Sequence, residues 1–476
     1  MRRLTKIICT WGPTTRTPQQ IDEMARRGMN ILRFNLCHGS WEEHARTIRI
    51  VNALNKKLAA KGKFPACITT LLDLKGAEVR TGVVAAPLKI KQGEQVIFSP
   101  KPLPKERGRQ VVLVNHKTFS KDAQQAEHIL LDNGKMTFEL VSVRSNGSVI
   151  ARAQQPGIIG SRRHVNLPGA NLDMPSITRA DWKSIAHAAD ERIDYLGLSF
   201  IRKASEIDDV RAYLQKRNIS IGLIAKIETR QALVNLDEII AASDAVMVAR
   251  GDLGAEIPFE QLPVVQDVIV SKSRAAGKPV IVATHMLESM VENPIPTRAE
   301  VTDIAHAAMT STDMTMLSGE TASGANPLLC LDAMDRVLRE TERHVSTMRT
   351  MLPAEIRTER DAQAEAAVTL AVSSGVSAMV IVTRTGQTAR DVARFRPYLP
   401  VIALTPSGDV QRQLLLSFGV FPLVTRFNAD PEKTVIDALP LIEKAGLLKK
   451  SERYVLVTDV KAHEESYSTM QVRVVS

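Results

Sequence analysis

A lysine and two carboxylates stand at the ends of two apolar stretches near the middle of this chain. The first stretch, 219–225, leads into Lys226 and Glu228, and the second, 245–249, leads to Asp252. Lys226 and Glu228 are two residues apart, so on an extended strand their side chains point to the same side. Carboxylate oxygens suit Mg²⁺, which completes its shell with water and substrate oxygens. A lysine beside that ion could neutralise charge on a transferring phosphoryl group.

Apolar segments alternate with helical segments on both sides of this centre. Such alternation predicts a parallel sheet, and eight repeats of it predict a closed (β/α)8 barrel of the TIM type. Barrels of this kind carry their chemistry at the C-terminal ends of the strands. The predicted strands are 7–10, 31–34, 69–72, 195–199, 221–226, 245–249, 280–284 and 314–317.

Polar side chains fall at the C-terminal ends of these predicted strands. A Gly-Asp turn or a salt bridge at the barrel rim would explain single motifs, but the shared position explains all of them. We therefore expect one site. Its candidate residues are Arg33, Asn35, Asp73, Lys226, Glu228, Asp252 and Thr284.

The pattern changes twice along the chain. Alternating residues and turn signals such as Asp132-Asn133-Gly134 indicate an inserted β-rich domain. After the barrel, further apolar strands at 379–382, 401–404, 421–424 and 454–457 indicate a second α/β unit. The expected domains are 1–77 and 169–345 for the barrel, 78–168 for the insertion and 346–476 for the C-terminal α/β domain.

Composition narrows the classes of function. The chain has 476 residues, 44% of them hydrophobic, and a net charge of +10, which indicates an ordinary globular protein that suits small anionic substrates. No basic patch is interleaved with aromatic residues, so we expect no nucleic-acid partner. The four cysteines lack metal-binding spacing and favour a reducing compartment. With neither a signal peptide nor a membrane span expected, we predict a cytoplasmic protein.

Several motifs taken together resemble the pyruvate kinase family over nearly the whole chain. They read TKIICTWGP at 5–13, GMNILRFNLCHG at 28–39, LLDLKGAEVRTG at 71–82, IAKIET at 224–229, VARGDLGAEIP at 248–258, ATHMLESM at 283–290 and PTRAEV at 296–301. The resemblance implies a barrel, an inserted β-barrel lid and a C-terminal effector domain, usually in a homotetramer. It also implies transfer of the phosphoryl group of phosphoenolpyruvate to ADP, giving pyruvate and ATP in glycolysis.

The resemblance assigns roles in substrate binding and catalysis. Arg33 and Lys226 would bind the transferring phosphoryl group, and Lys226 would stabilise its charge. The backbone amides of Gly251 and Asp252, together with Thr284, would hold the carboxylate of phosphoenolpyruvate. Thr284 would also lie where the enolate is protonated, through water.

The resemblance also assigns metal and nucleotide contacts. Glu228 and Asp252 would hold Mg²⁺. The nucleotide and phosphate side would comprise Asn35, His38 and Arg80.

A potassium site is the first place where the chain departs from the family. Asn35, Asp73 and the backbone carbonyl of Leu74 could supply hard oxygens, but Cys37 replaces a serine hydroxyl with a soft sulfur. Glu78 keeps the acidic residue that accompanies potassium dependence. We therefore expect a weakened response to K⁺. Four more residues differ from those usual in the family, and these differences bear on nucleotide affinity and regulation. They are Leu74, Ala77, His285 and Ser323.

An effector site is expected in the C-terminal domain. The loop 383–388 offers hydroxyls and a glycine before a helix, a pattern that suits one phosphate but also an ordinary capped loop. Its candidate residues are Thr383, Thr385, Gly386 and Thr388. The stretch 459–468, read as a loop without glycines and rich in acids, predicts little activation by fructose 1,6-bisphosphate.

Two other functions stay open at this point. A magnesium-dependent barrel lyase or aldolase acting on pyruvate-type enolates would also use a Glu/Asp pair, although the lid and the C-terminal domain argue against it. A non-catalytic regulatory relative would be expected to lose Lys226 or a magnesium ligand, and this chain keeps them.

Overall fold

A computed structural model describes residues 2–61, 66–104, 106, 108–348, 356, 358–462 and 465–475. Within these ranges, no helix is both long and apolar enough to cross a membrane.

Three parallel barrel strands and two helices open the chain. The first helix begins where the Thr17 hydroxyl accepts a hydrogen bond from Gln20 N and Pro18 occupies the first helical position. The strands pair side by side in chain order. The elements are β1 (Lys6–Thr10), α1 (Pro18–Arg26), β2 (Ile31–Asn35), α2 (Trp41–Lys61) and β3 (Thr69–Asp73).

The inserted domain follows β3 and consists of short strands with one short helix. Its elements are β4 (Leu88–Ile90), β5 (Gln95–Ser99), β6 (Gln110–Leu113), α3 (Phe119–Ala123), β7 (Ile129–Leu131), β8 (Met136–Val143), β9 (Val149–Ala153), β10 (Gly157–Ile159) and β11 (Val165–Asn166). Six strands form one sheet in the order β11-β7-β8-β9-β5-β6, and β10 pairs separately with β4.

The segment 79–82 joins the two edges of the six-stranded sheet. Val165 N donates to Val79 O at 2.8 Å on one side, and Gly82 N donates to Leu113 O at 2.7 Å on the other. Isolated bridges at Arg80 and Thr81 accompany these bonds. The sheet thus closes through this segment, which confirms the expected β-barrel.

The rest of the barrel follows the insertion. Its elements are α4 (Arg179–Asp190), β12 (Tyr195–Leu198), α5 (Ala204–Gln215), β13 (Gly222–Ile227), α6 (Arg230–Val234), α7 (Leu236–Ala242), β14 (Ala245–Ala249), α8 (Arg250–Leu253), α9 (Leu262–Ala275), β15 (Val280–Ala283), α10 (Arg298–Met309), β16 (Met314–Leu317), α11 (Gly319–Ala322) and α12 (Pro327–Met348). The eight parallel strands close in the order β1-β2-β3-β12-β13-β14-β15-β16. The (β/α)8 prediction is confirmed, with strand ends shifted by one residue at most.

The C-terminal domain is a second α/β unit with one five-stranded sheet. Its elements are α13 (Glu359–Ser373), β17 (Ala378–Val382), α14 (Gln387–Ala393), β18 (Val401–Thr405), α15 (Gly408–Leu414), β19 (Val420–Val424), α16 (Pro431–Lys444), β20 (Arg453–Ala462) and β21 (Glu465–Val474). The strand order is β19-β18-β17-β20-β21. Four of these strands were predicted, and the antiparallel edge strand β21 was not.

The prediction of a loop at 459–468 is wrong. β20 and β21 form a long antiparallel hairpin in which Asp459 pairs with Ser468 and Ala462 pairs with Glu465. His463 and Glu464 lie outside the described residues. The stretch contains no glycine to favour a turn, and the segment taken as a stiff loop continues the two strands of the hairpin.

The C-terminal domain packs against the N-terminal ends of the barrel strands. Arg396 Nη2 lies 2.7 Å from Asp313 Oδ2, just before β16. Arg412 Nε lies 2.7 Å from Asp194 Oδ1, just before β12. The domain therefore covers the barrel end opposite to the one where the predicted site lies.

Candidate active site

Lys226, at the end of β13, lies among three oxygen-bearing side chains. Its Nζ is 2.7 Å from Glu228 Oε1 and 3.3 Å from Asp73 Oδ1, and it donates to Ser199 Oγ at 2.7 Å. Burial alone would lower the pKa of Lys226, but the charges of Asp73 and Glu228 outweigh it and raise that pKa above its ordinary value. Lys226 therefore stays charged at neutral pH, which suits charge stabilisation and not proton abstraction.

Asp73, at the end of β3, links two cations. Its Oδ2 accepts from Arg33 Nε at 2.7 Å, while its Oδ1 faces Lys226. Burial would raise the pKa of Asp73, but Lys226 and Arg33 hold it below its usual value. Gly197 of β12 leaves the necessary space, since a Cβ there would lie 3.1 Å from Asp73 Oδ1. Asp73 thus fixes the spacing of the two predicted phosphoryl-binding cations.

Arg33 is held from a second side as well. Its Nη1 donates to Thr10 Oγ1 at 3.0 Å, and that hydroxyl donates to Leu317 O at 2.8 Å. Arg33 is also buried, with 8% of its surface exposed. The guanidinium is therefore oriented before any substrate binds, which lowers the cost of positioning.

Glu228 and Asp252 form the predicted carboxylate pair. Glu228 Oε2 accepts from Phe200 N at 2.6 Å, and its other oxygen faces Lys226. Asp252, on α8, lies within hydrogen-bond reach of Glu228 and 3.7 Å from His164 Nδ1. Burial raises the pKa of both carboxyl groups.

The donor set of this pair fits Mg²⁺. Two hard carboxylates, the buried Glu228 and the partly exposed Asp252, lie together, and their mutual repulsion favours a bound cation. Over the described ranges, no group of three or more His, Cys, Asp or Glu side chains could hold a metal. A site with one or two protein carboxylates is usual for Mg²⁺ when substrate and water supply its remaining oxygens.

Thr284 and Gly251 are in direct contact. Gly251 N donates to Thr284 Oγ1 at 2.9 Å, and that hydroxyl donates to Ala283 O at 2.6 Å. Thr284 and His285 have φ angles of 69° and 54°, in the left-handed region that such residues rarely adopt. A strained turn after β15 thus places the Thr284 hydroxyl beside the α8 backbone, as a carboxylate-binding role would need.

Arg250 holds this turn in place, although the sequence analysis did not select it as a candidate. Its Nη1 lies 2.7 Å from Asp303 Oδ1, while its Nε donates to Ala283 O and Thr284 O, each at 3.2 Å. Arg250 directly follows the apolar run of β14, and this position, where polar residues were selected after other strands, is the signal that could have identified it.

Ser199 was also missed. It donates to Leu74 O at 2.8 Å and accepts from Lys226. It follows the C-terminal end of β12, so the rule that selected the other candidates would have found it.

The predicted nucleotide-side residues lie around the rim. Asn35 Oδ1 accepts from Cys37 N at 3.1 Å, and His38 is exposed. Arg80 pairs with Glu78 and donates to Arg162 O at 2.8 Å. The side chains of Asn35 and Arg80 thus bond to backbone groups and to Glu78 in this structure.

The proposed potassium ligands all bond to protein groups in this structure. Their oxygens are hard, but each already has a partner: Asn35 with Cys37 N, Leu74 O with Ser199, and Asp73 with two cations. Burial, followed by the charges of Glu78 and Asp73, raises the pKa of Cys37 to about 11. The thiol is therefore neutral at physiological pH.

The effector loop satisfies some of its own hydrogen bonds. Thr383 Oγ1 accepts from Gly386 N at 3.0 Å, and Thr385 Oγ1 accepts from Gln387 N at 3.4 Å. Gly386 has a φ of 81°, and a Cβ there would lie 2.9 Å from a Leu414 carbon. Glycine is thus required at this turn. The amides of Gly386 and Gln387 could bind a phosphate only after giving up their present bonds to the threonine hydroxyls.

The fold and the site together define a class of protein. A closed parallel barrel with buried cations and a carboxylate pair at its C-terminal strand ends, joined to an inserted β-barrel, defines a barrel enzyme for anionic substrates. Residues 2–331 match the family model described as the pyruvate kinase barrel domain, and residues 361–473 match that of the pyruvate kinase alpha/beta domain. The chain belongs to the pyruvate kinase family, whose members are phosphotransferases.

Named relatives extend over nearly the whole chain. Plastidial pyruvate kinase 2 of Arabidopsis thaliana is 36% identical, over 99% of this chain and 81% of its own length. The pyruvate kinases of Geobacillus stearothermophilus and Dictyostelium discoideum are each 34% identical, over 100% and 96% of this chain and 81% and 91% of their own lengths. The predicted family and fold are confirmed, and the family in general depends on Mg²⁺ and K⁺.

Proposed function

We propose that this chain transfers the phosphoryl group of phosphoenolpyruvate to ADP, giving pyruvate and ATP. The observation that carries the proposal is the position of Lys226, whose Nζ lies 2.7 Å from Glu228 and 3.3 Å from Asp73, with Arg33 bound to the same Asp73. Two fixed cations beside a carboxylate pair suit a reaction that needs positioning and charge stabilisation.

Lys226 and Arg33 act on the transferring group. As the bond from phosphorus to the enolate oxygen breaks and a bond to an ADP oxygen forms, charge spreads over the phosphoryl oxygens. The ammonium and guanidinium, already oriented by Asp73, stabilise that charge without reorganising. Magnesium held by Glu228 and Asp252 would supply further neutralisation of charge during the transfer.

Gly251, Asp252 and Thr284 orient the rest of the substrate. In this proposal the amides of Gly251 and Asp252 and the Thr284 hydroxyl bind the carboxylate of phosphoenolpyruvate. The two groups lie side by side, since Gly251 N donates to Thr284 Oγ1 at 2.9 Å, and the substrate carboxylate would replace Thr284 as the acceptor of that amide. Thr284 also lies beside the enolate carbon, which takes its proton through water to give pyruvate. Asn35, His38 and Arg80 contact the nucleotide side.

A coupled assay tests the reaction. Purified protein is given phosphoenolpyruvate, ADP and Mg²⁺, and pyruvate is followed through lactate dehydrogenase and NADH. We expect pyruvate formation that requires ADP and yields ATP in equal amount. Pyruvate formed or consumed without ADP would instead indicate a lyase or aldolase, and inactivity with both substrates would favour a regulatory relative.

A homotetramer is the assembly that we propose. Its support is apolar surface on two domains: Phe259, Val264 and Val268 are 85%, 65% and 44% exposed at and along α9, and Val474 on edge strand β21 is 58% exposed. An edge strand offers unpaired backbone groups to a second copy. Light scattering coupled to size-exclusion chromatography would give four times the chain mass if this is right.

The remaining assignments also belong to this proposal. We place the barrel at 1–77 and 169–345, the lid at 78–168 and the effector and oligomerisation domain at 346–476. The two family matches, at 2–331 and 361–473, support the separation of the C-terminal domain from the rest. Thr383, Thr385, Gly386 and Thr388 are the proposed effector contacts. The cytoplasmic location stays a prediction.

A further inference from the structure

A cavity of about 680 Å³ lies between the barrel and the C-terminal domain. Tyr195 and Lys278, near the N-terminal ends of barrel strands, line one side, while Arg390 of α14 and Gln413 of α15 line the other. We call it the interdomain cavity. Sites for small molecules typically measure about 300–1,000 Å³, so it has the size of a metabolite site. It is at the barrel end opposite to Lys226.

The walls of the interdomain cavity carry more positive than negative charge. Five basic and three acidic side chains line it. Each acid already has a basic partner from the same walls. The pairs are Arg211 with Asp244 at 3.2 Å, Arg360 with Asp391 at 2.9 Å, and Arg394 with Asp361.

Lys278 and Arg390 are the two cations left over. Among the described residues, Lys278 Nζ donates to the backbone oxygens of Ala241 at 3.3 Å and Ser243 at 2.6 Å and pairs with no carboxylate. Arg390 Nη2 donates to Thr385 O at 3.1 Å, likewise without an acidic partner in the described ranges. Burial lowers the pKa of Lys278, Asp244 opposes that shift, and Arg211 and Arg390 add to it. The positive charges of Arg211 and Arg390 therefore repel that of Lys278 within the cavity.

We propose that the interdomain cavity binds a small phosphorylated metabolite, with its phosphate held by Lys278 and Arg390. Two excess positive charges match a phosphate dianion, and neutral polar groups in the same walls can bond sugar hydroxyls. Those groups belong to Ser220, Thr358 and Gln387.

The interdomain cavity is separate from the effector loop but connected to it. Lys278 belongs to the barrel, whereas the loop lies before α14 in the C-terminal domain. Arg390 contacts both places, through the cavity wall and through its bond to Thr385 O. A ligand in the cavity would therefore bridge the two domains beside that loop.

Isothermal titration calorimetry on the full chain tests the proposal. The probes are inorganic phosphate and fructose 6-phosphate, with fructose as the uncharged control, all at constant ionic strength. We expect both phosphates to bind and fructose not to bind. Lys278→Gln and Arg390→Gln should each weaken binding about tenfold or more, because each removes a charge-assisted hydrogen bond. Lys183→Gln, at an exposed position of α4, is the matched control and should bind as the unmodified chain does.

Two further variants keep the test decisive. Lys278→Arg retains the charge and should largely restore binding, which separates loss of the cation from a folding defect. Binding of neither phosphate by the unmodified chain would overturn the proposal, as would binding that Lys278→Gln leaves intact but Thr385→Ala abolishes, since that result assigns the phosphate to the effector loop. Because binding is measured directly, its failure leaves the proposed phosphoryl transfer standing.

Discussion

Lys226 lies near the C-terminal end of β13 and Glu228 directly follows that strand, and their side chains meet with Nζ 2.7 Å from Oε1. The same ammonium is bound by Asp73 from a neighbouring part of the barrel. Because the buried carboxylates of Asp73 and Glu228 hold it, the Lys226 ammonium keeps its proton. Its position is fixed from the ends of both β3 and β13. Such preorganisation is the condition under which a single charge contributes strongly to a transition state.

Replacing Lys226 tests that contribution. Lys226→Met should lower kcat by about three orders of magnitude or more, while KM for phosphoenolpyruvate changes much less, because the lost interaction strengthens as charge develops. Steady-state kinetics in the coupled assay give both constants. Lys183→Met, at an exposed position, serves as the control. A Lys226→Met protein with near-normal turnover would rule out the proposed role.

Ser199 is expected to act as a positioning residue. Its hydroxyl accepts from Lys226 Nζ at 2.7 Å and donates to Leu74 O at 2.8 Å, so Ser199→Ala leaves the ammonium with one restraint fewer. We expect kcat to fall about tenfold with little change in KM, and Ser199→Thr to restore most of the loss. Equal activity of the Ala and unmodified proteins would show that Asp73 and Glu228 suffice to position Lys226.

Magnesium affinity should depend on pH in a range set by the carboxylate pair. Burial raises the pKa of Glu228 and Asp252, so protons compete with the metal at higher pH than for an ordinary carboxylate. The Mg²⁺ concentration for half-maximal activity should therefore rise as pH is lowered from about 8 to about 6. Asp252→Asn should raise it at every pH, whereas Asp237→Asn, at an exposed ion pair, should not. If the half-saturating Mg²⁺ concentration stays constant over this pH range, protons do not compete with the metal at Glu228 and Asp252.

Much of this site could be predicted from the sequence because each barrel strand is an apolar run that ends in polar residues. That pattern located Lys226, Glu228 and Asp252 at one end of the barrel. It could not predict that Asp73 joins Arg33 to Lys226, because that depends on the strand register and on the space left at Gly197. Contacts of this kind are set by packing between distant segments, which local patterns do not contain.

The missed strand β21 has a different cause. Its residues 465–469 read ESYST and lack the apolar run that marked the other strands of this domain. As an edge strand it pairs on one side only, so fewer of its residues need to be apolar. The same polarity led to the wrong interpretation of 459–468 as a loop.

Lys6 should make the stability of the chain depend on pH. It is buried beneath the C-terminal domain, where Nζ donates to Val420 O at 2.7 Å and lies 4.2 Å from the Phe421 ring centroid. Burial, followed by the charge of Arg3, lowers the pKa of Lys6 to about 7. Below about pH 7 both folded and unfolded chains carry this proton, and above it only the unfolded chain does, until its ordinary pKa of 10.5 is reached.

The Lys6 contribution to the free energy of unfolding should therefore increase from about pH 7 towards pH 10. We expect the thermal midpoint of Lys6→Met to vary less between about pH 7 and pH 9 than that of the unmodified chain, as measured by circular dichroism. Lys183→Met should keep the original pH dependence. An unchanged dependence in Lys6→Met would show that Lys6 does not titrate in this range.

Potassium activation should be weak, and Cys37 is the reason that can be tested. The Cys37 thiol is neutral, since its pKa is raised to about 11, and a soft sulfur is a poor ligand for a hard cation. The other proposed ligands already have partners, above all Asp73, which is bound by Arg33 and Lys226.

Cys37→Ser replaces the sulfur with a hydroxyl oxygen and should increase the activation of kcat/KM by K⁺, while activity without K⁺ changes little. Cys330→Ser, at a buried position away from the site, is the matched control. Strong activation of the unmodified chain at low K⁺, unaltered by Cys37→Ser, would show that the sulfur does not limit cation binding and that Asn35 and Leu74 can exchange their present partners for the ion.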